Sequence, residues 1–259
     1  LIYRLSETSE VRDRRFEFII LEDKTINAFA APGGIIGINL GMFLNTEREG
    51  ELASVMCHEL AHLSQRHFAR SQNRNSPLAN ALMILGSIAV AAASRNPEAI
   101  LIAPAAMQQM SINYTRSNEK EADRIGFNNL VKAGFDPNDM TMMFQRMQDK
   151  YQNEDSEQFS YLMTHPLPSE RLTDMRIRAD GLKNNSKNSF RDNIDFYLMQ
   201  KRAQVWAEKD IKELVKRFKK NLKSQNKNTE VSNRYGLSLA YKKNKDFEKS
   251  FGILRELIK

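Results

Sequence analysis

Five consecutive residues, His58-Glu59-Leu60-Ala61-His62, constrain this chain more than any others. In a helix, residues four apart lie on one face, a turn above each other. The two imidazoles can then grip one metal ion from the same side. Glu59 falls beside that ion, placed to take a proton from a water the metal activates. The surroundings predict a helix over about residues 47–70. Thr46 and Glu49 match a capping box, with Thr46 at the N-cap. Leu52, Val55, Met56, Leu60 and Leu63 recur at helical spacing, and after Gly50 neither glycine nor proline interrupts the run.

Two histidines do not complete a catalytic zinc site, which takes three protein ligands and an open position. One known extension of the motif would place glycine at 65 and histidine at 68, where this chain has Gln65 and Phe68. His67 lies nine residues after His58, so at about 100° per residue it falls on the opposite helix face and reads as a surface polar residue. The third ligand is therefore sought downstream, in Ser117-Asn118-Glu119-Lys120-Glu121-Ala122-Asp123. Glu119 and Asp123 share one face of a second helix, and Glu121 points away from it. Glu119 is the candidate ligand. Asp123 is the candidate partner of a ligand histidine, fixing its tautomer. Ala122 and Gly126 are small enough to let this helix approach the first.

These residues carry a family resemblance. Asn27-Ala28-Phe29-Ala30-Ala31-Pro32-Gly33-Gly34, then the His58–His62 motif, then Glu119-Lys120-Glu121-Ala122-Asp123 and His165-Pro166-Leu167-Pro168 follow in an order and spacing similar to the HtpX and BepA branch of the zinc peptidases. The resemblance spans about residues 16–180 and is strongest to soluble periplasmic enzymes with tetratricopeptide repeats after the peptidase domain. It implies an α+β, mostly helical, gluzincin-like metallopeptidase domain with a small β-sheet, followed by an α-helical TPR-like module. It implies one Zn2+ held by His58, His62 and Glu119, with Glu59 as general base. It also implies unfolded or misassembled outer-membrane proteins as substrates, and an outer-membrane barrel-assembly machine as partner through the repeats. The rival reading is a chaperone or binding module whose zinc site is structural or latched.

The loop His165-Pro166-Leu167-Pro168-Ser169-Glu170-Arg171 adds two candidates. Its prolines stiffen the chain and favour extended geometry. His165 and Arg171 are candidate donors to a developing oxyanion. Alternatively, His165 fills the open zinc position and silences the site. Residues 26–43 read as strand, tight turn at Pro32-Gly33-Gly34 and strand, expected to border the cleft, where an edge strand pairs with an extended substrate.

The 259 residues allow one large or two smaller domains, and a hydrophobic share of 41% supplies a core. The single cysteine, Cys57, forms no internal disulfide and is expected in the core. Net charge is +7, unevenly spread: residues 1–180 hold 19 Lys and Arg against 23 Asp and Glu, and residues 181–259 hold 20 against 9. No nucleic-acid motif accompanies the basic excess, which reads as a solvated helical surface. Residues 76–110 are mostly small and apolar, in two runs each shorter than the ~20 residues that span a bilayer. They read as a helical hairpin near the cleft or dipping into a membrane surface, or equally as a buried core helix. Gly134, Asp136 and Pro137 mark the end of one helix and the start of the next.

The expected organisation is a peptidase domain over residues 1–182, a linker over 183–189 and a TPR-like region over 190–259. Around Tyr235-Gly236-Leu237-Ser238-Leu239-Ala240-Tyr241 the last region resembles a single repeat, which suggests a shortened repeat array. The chain opens on Leu1 without a recognisable signal peptide, so for a periplasmic location a leader is expected to have been removed or omitted.

Overall fold

A computed structural model describes residues 1–74, 99–153, 161–162, 165–182, 193–222 and 226–258. The chain opens with α1 (Ile2–Thr8) and a small sheet of β1 (Glu17–Leu21), β2 (Ala28–Ala31) and β3 (Ile35–Asn39). The order is β1-β3-β2, with β1 parallel and β2 antiparallel to β3. The β2–β3 connection is the turn expected at Pro32-Gly33-Gly34. Gly33 and Gly34 adopt φ of +91° and +82°, a region open to glycine at little cost. A Cβ on Gly34 would also lie 2.3 Å from the carbonyl oxygen of Arg15, so both backbone angle and space demand glycine there. Pairing β2 to β3 leaves the other side of β2 as a sheet edge.

Helices form most of the rest: α2 (Leu40–Asn45), α3 (Glu49–Ser64), α4 (His67–Arg74), α5 (Ala99–Lys132), α6 (Asn138–Asn153), α7 (Ser169–Leu182), α8 (Ile194–Ala207), α9 (Ile211–Lys220), α10 (Lys227–Lys243) and α11 (Phe247–Ile258). The first core gathers Leu5, Ile36, Ile38, Met56, Leu60, Leu130, Met140, Phe144 and Met175 from the sheet, α1, α3, α5, α6 and α7. A second core gathers Val205, Leu214, Phe218, Leu237, Ala240 and Tyr241. Helix α8 serves both: Phe196 and Ala203 pack into the first, Val205 into the second. Of residues 76–110, those up to 98 lie outside the described residues, and the remainder form the first turns of α5. The linker expected at 183–189 also lies outside them.

The start of α3 differs from the expected capping box. The Thr46 hydroxyl donates back to the carbonyl of Met42 and so closes α2. Arg48 occupies the N-cap of α3 without a side-chain cap. Two residues later than expected, the Glu51 carboxylate accepts the Glu47 backbone N–H, while Glu49 accepts that of Asn193 at the entry to α8. The sequence reading put the glutamate in the wrong register because two helices meet where it anticipated one start.

The far end of α3 also departs from expectation. The helix stops at Ser64, Arg66 takes φ of +53°, and the chain restarts as α4 at His67. A left-handed residue redirects the chain, so helical periodicity cannot be carried across it.

Helices α3 and α5 pack tightly, as Ala122 and Gly126 lead one to expect. A Cβ on Gly126 would lie 3.0 Å from the His58 nitrogen and 3.1 Å from the Cys57 carbonyl. Backbone cannot rotate away from such a clash. Alanine would recover about 1 kcal/mol of helix propensity and mask part of the effect, so valine is the cleaner probe. Gly126→Val is expected to destabilise the chain by about 1–3 kcal/mol through overpacking, read as a lowered urea midpoint. An unchanged midpoint would mean that the two helices have room to spare.

Candidate metal centre

Every residue of α3 from Glu49 to Ala61 is buried, so most of its motif is enclosed by other protein elements, and His62 at its end is partly exposed. Helical spacing brings the Nε2 atoms of His58 and His62 to 2.9 Å from each other. Helix α5 supplies Glu119, whose carboxylate oxygens lie 3.3 Å from His58 Nε2 and 3.2 Å from His62 Nε2. The loop before α7 brings in His165, with Nδ1 3.1 Å from Glu119 and 3.4 Å from His58 Nε2. The donor atoms of these four residues all lie within 4.8 Å of one another.

This donor set fits zinc. Three imidazole nitrogens and one carboxylate oxygen are its preferred ligand types. Two ring nitrogens turned toward each other and toward one carboxylate form an arrangement that a cation resolves. The local field agrees. Burial opposes charge on His58, yet Asp123 and Glu119 outweigh it and raise the imidazole to about 9. Burial would raise Glu119, but the facing His165, His58 and His62 hold it well below the usual carboxylate range. The pocket is thus built to stabilise positive charge beside a carboxylate that stays ionised.

Glu59 sits beside this cluster, almost fully buried. Its Oε2 accepts the backbone N–H of Ala30 on β2 at 3.2 Å, and its Oε1 lies 3.6 Å from His165 Nε2. A cleft of about 610 Å³ opens here, lined by Phe29, Ala30, Glu59, His62, Phe68 and His165 among others. The edge of β2 therefore borders the cleft, as the sequence reading expected of residues 26–43.

Behind the cluster, His58 Nδ1 lies 3.0 Å from Asp123, close enough to interact though not aligned as a good hydrogen bond. Asp123 is gripped by Arg171 through two hydrogen bonds of 2.6 and 2.7 Å. Burial alone would raise Asp123, and Arg171 outweighs it to hold the carboxyl below its ordinary range. The remaining Arg171 nitrogen donates to the Pro166 carbonyl and lies 2.9 Å from Glu119. Arg171 was expected as an oxyanion donor. Its guanidinium is instead committed to Asp123, Glu119 and Pro166 on the side away from the cleft, and it acts as a brace between α5, α7 and the His165 loop.

His67 corrects a second expectation. It is not a surface residue on the opposite face but is buried, with Nδ1 2.9 Å from His62 Nδ1 and Nε2 3.0 Å from Glu121. The left-handed turn at Arg66 is the reason. Tyr161 is a site residue that no motif in the sequence marks. Its ring stacks on His165 at 4.6 Å between centroids, 25° from parallel. An aromatic four residues before the candidate loop histidine was the only local signal for it.

Residues 1–179 match the model of peptidase family M48. The putative beta-barrel assembly-enhancing protease of Vibrio cholerae is 40% identical over 250 residues, covering 94% of this chain and 51% of that protein. The beta-barrel assembly-enhancing protease of Escherichia coli K12 is 39% identical over 197 residues, 73% of this chain and 39% of that protein. The mitochondrial metalloendopeptidase OMA1 of Schizosaccharomyces pombe is 28% identical over 172 residues, 66% of this chain and 49% of that protein. The chain spans about half the length of the Vibrio protein or less of the others.

Proposed function

The chain belongs to peptidase family M48, and from that premise we propose that it is a zinc-dependent endopeptidase that degrades unfolded or misassembled proteins in outer-membrane protein quality control. The observation that carries this reading is the convergence of His58, His62 and Glu119 on one point with the Glu59 carboxylate beside it. A purely structural zinc site has no use for a buried general base facing a cleft.

His58, His62 and Glu119 would hold the ion. When bound, zinc supplies Lewis acidity that brings the pKa of water toward 7 and polarises a carbonyl. Glu59 accepts the proton of the attacking water and returns it to the leaving amine. The Ala30 N–H holds one Glu59 oxygen in place and leaves the other for proton transfer. The edge of β2 can pair with an extended peptide, giving affinity with little demand on sequence, which suits unfolded substrates. Asp123, braced by Arg171, orients His58.

The names of the bacterial relatives connect them with β-barrel assembly. They support a periplasmic location and a barrel-assembly machine as partner for this chain. We assign residues 1–182 to the peptidase domain, 183–189 to a linker and 190–259 to a TPR-like region. The close pairing of α10 and α11 through Ser238 and Ser250 supports the last assignment. Among the described residues no helix is long and apolar enough to cross a membrane. Residues 76–110 remain the candidate for peripheral membrane contact.

One observation favours a latched site or binding module as the second reading: His165 Nδ1 sits among the ligand atoms, where it would occupy the open position. Casein digestion by zinc-loaded protein, with and without 1,10-phenanthroline, tests both. Digestion that the chelator stops is expected. If the wild type is silent and His165→Ala gains about tenfold or more, each ~1.4 kcal/mol of closure having withheld a tenfold share of open enzyme, His165 is a latch. Silence in both proteins would replace the peptidase reading with the binding module.

A further inference from the structure

Each candidate ligand histidine has a second ring nitrogen, and the structure treats the two differently. His58 Nδ1 faces a carboxylate directly, that of Asp123, which Arg171 holds. Among the described residues no carboxylate faces His62 Nδ1 in that way. It meets His67 Nδ1 at 2.9 Å, and the far nitrogen of His67 meets Glu121 at 3.0 Å. Glu121 accepts in turn from Arg70 Nη1 at 3.1 Å.

The hydrogens along this chain can be assigned without conflict. If His62 offers its Nε2 lone pair to the ion, Nδ1 must carry the hydrogen. It then donates to His67 Nδ1, which must be bare. His67 Nε2 carries the other hydrogen and donates to Glu121. Every ring nitrogen has one role. The reverse assignment would put a hydrogen on His62 Nε2, pointing it at His58 Nε2 and Glu119, and would leave His67 Nε2 bare against a carboxylate.

We propose that His67 and Glu121 form a relay that positions His62 as a metal ligand, with His67 doing through an extra imidazole what Asp123 does directly for His58. Burial supports this. His67 is 4% exposed although it opens a polar helix, and Glu121 is turned to it from the face of α5 opposite the ligand Glu119. The local fold supports it as well. The left-handed Arg66 breaks α3 two residues after Ser64, and this break is what swings His67 back beneath His62. Helix α4, whose Phe68 lines the cleft, is thereby tied to the metal centre through its first residue. His67 and Glu121 are positioning residues, acting on the ion through His62.

The relay rests on reading His58, His62 and Glu119 as ligands, and metal binding separates the two claims. The experiment measures Zn2+ affinity by competition with a chromophoric chelator, and the visible absorption of the Co2+-substituted protein, for the wild type, His67→Phe, His67→Gln and Glu121→Gln. Phenylalanine keeps a flat ring but accepts no hydrogen bond. Glutamine can accept from His62 Nδ1. Loss of such an outer partner typically weakens metal binding by about 10- to 100-fold. His67→Phe is therefore expected to lose that much and to shift the cobalt bands, while His67→Gln recovers most of both. If His67→Phe fails to fold, Glu121→Gln, at a partly exposed side chain, carries the test: its amide oxygen can still accept from His67 Nε2 but without the negative charge that strengthens the bond, so the loss expected is about tenfold, the low end of the same range. Wild-type affinity and spectrum in His67→Phe and Glu121→Gln would overturn the relay and leave the ligand set standing. Equal losses in His67→Phe and His67→Gln would also overturn it, as the effect would then be one of packing. A wild type that binds no zinc would overturn the ligand set and the relay together.

Discussion

Replacing Glu59 by glutamine is expected to lower proteolysis by about 10²–10⁴-fold, the usual contribution of a positioned general base, while zinc content stays at the wild-type level. The substitution is nearly isosteric. The glutamine oxygen can still accept the Ala30 N–H that holds Glu59 now, so β2 and α3 should keep their relative placement. What is lost is the capacity to take a proton at neutral pH. Casein digestion gives the activity, and release of zinc to a chromophoric chelator in denaturant gives the metal content. A variant that retains more than about a tenth of wild-type activity would remove Glu59 from the role of base, because loss of proton transfer costs at least about a hundredfold. A variant that loses zinc as well would show that Glu59 also supports the metal, and the activity loss could not then be assigned to proton transfer.

Arg171→Met is expected to give the largest loss of stability, about 3–5 kcal/mol, because it removes the permanent cation of a buried ionic network and leaves its carboxylates under-compensated. Arg171 is 3% exposed, and its guanidinium touches Asp123 twice, Glu119 once and the Pro166 carbonyl once. Its removal leaves Asp123 with only the imperfectly aligned His58 Nδ1, takes one cation from Glu119 and removes the donor to the Pro166 carbonyl. Methionine has similar length and can keep the contact over the Phe144 ring that Arg171 makes now, so packing loss is minimised and charge loss isolated. Urea unfolding in the presence of a chelator is the measurement, since bound zinc would partly compensate Glu119. At a slope of roughly 1–3 kcal/mol per molar, the midpoint should fall by one to several molar. A loss below about 1 kcal/mol would place the pair among surface-like ion pairs and contradict the burial that defines it. Arg171→Lys keeps the charge but not the two-pronged geometry, and is expected to recover only part of the loss.

The parts of the site that were legible in the sequence are those whose geometry is local. His58 and His62 face the same way because they are four residues apart in one helix. The same rule paired Glu119 with Asp123 and turned Glu121 from them. The small residues Ala122 and Gly126 signalled a close helix crossing, and the Cβ space at Gly126 agrees. Pro32-Gly33-Gly34 signalled a turn that only glycine can make, and both glycines have positive φ.

The misreadings share one cause. His67 was assigned to the wrong face because a regular helix was extended through Arg66, a residue whose left-handed conformation nothing in its side chain announces. The capping box slipped because α2 ends three residues before α3 begins, and Thr46 serves the first helix rather than the second. Arg171 was assigned to the cleft because its sequence neighbours include His165. Its real partner, Asp123, lies 48 residues away on another helix. Tyr161 went unnoticed because a stacking partner cannot be inferred from a single aromatic residue.

By itself, then, the sequence determined which side chains share a helix face, which carboxylate stands beside the two histidines and which helices could approach closely, since these follow from spacing within one element and from side-chain size. Only the tertiary structure decided which residues stand behind the ligands, because that depends on where segments 48 to 54 residues apart meet, and on the left-handed Arg66 that turns His67 under His62. Spacing is fixed by the helix repeat. Meeting points are fixed by the burial of whole faces, which no short window of sequence contains.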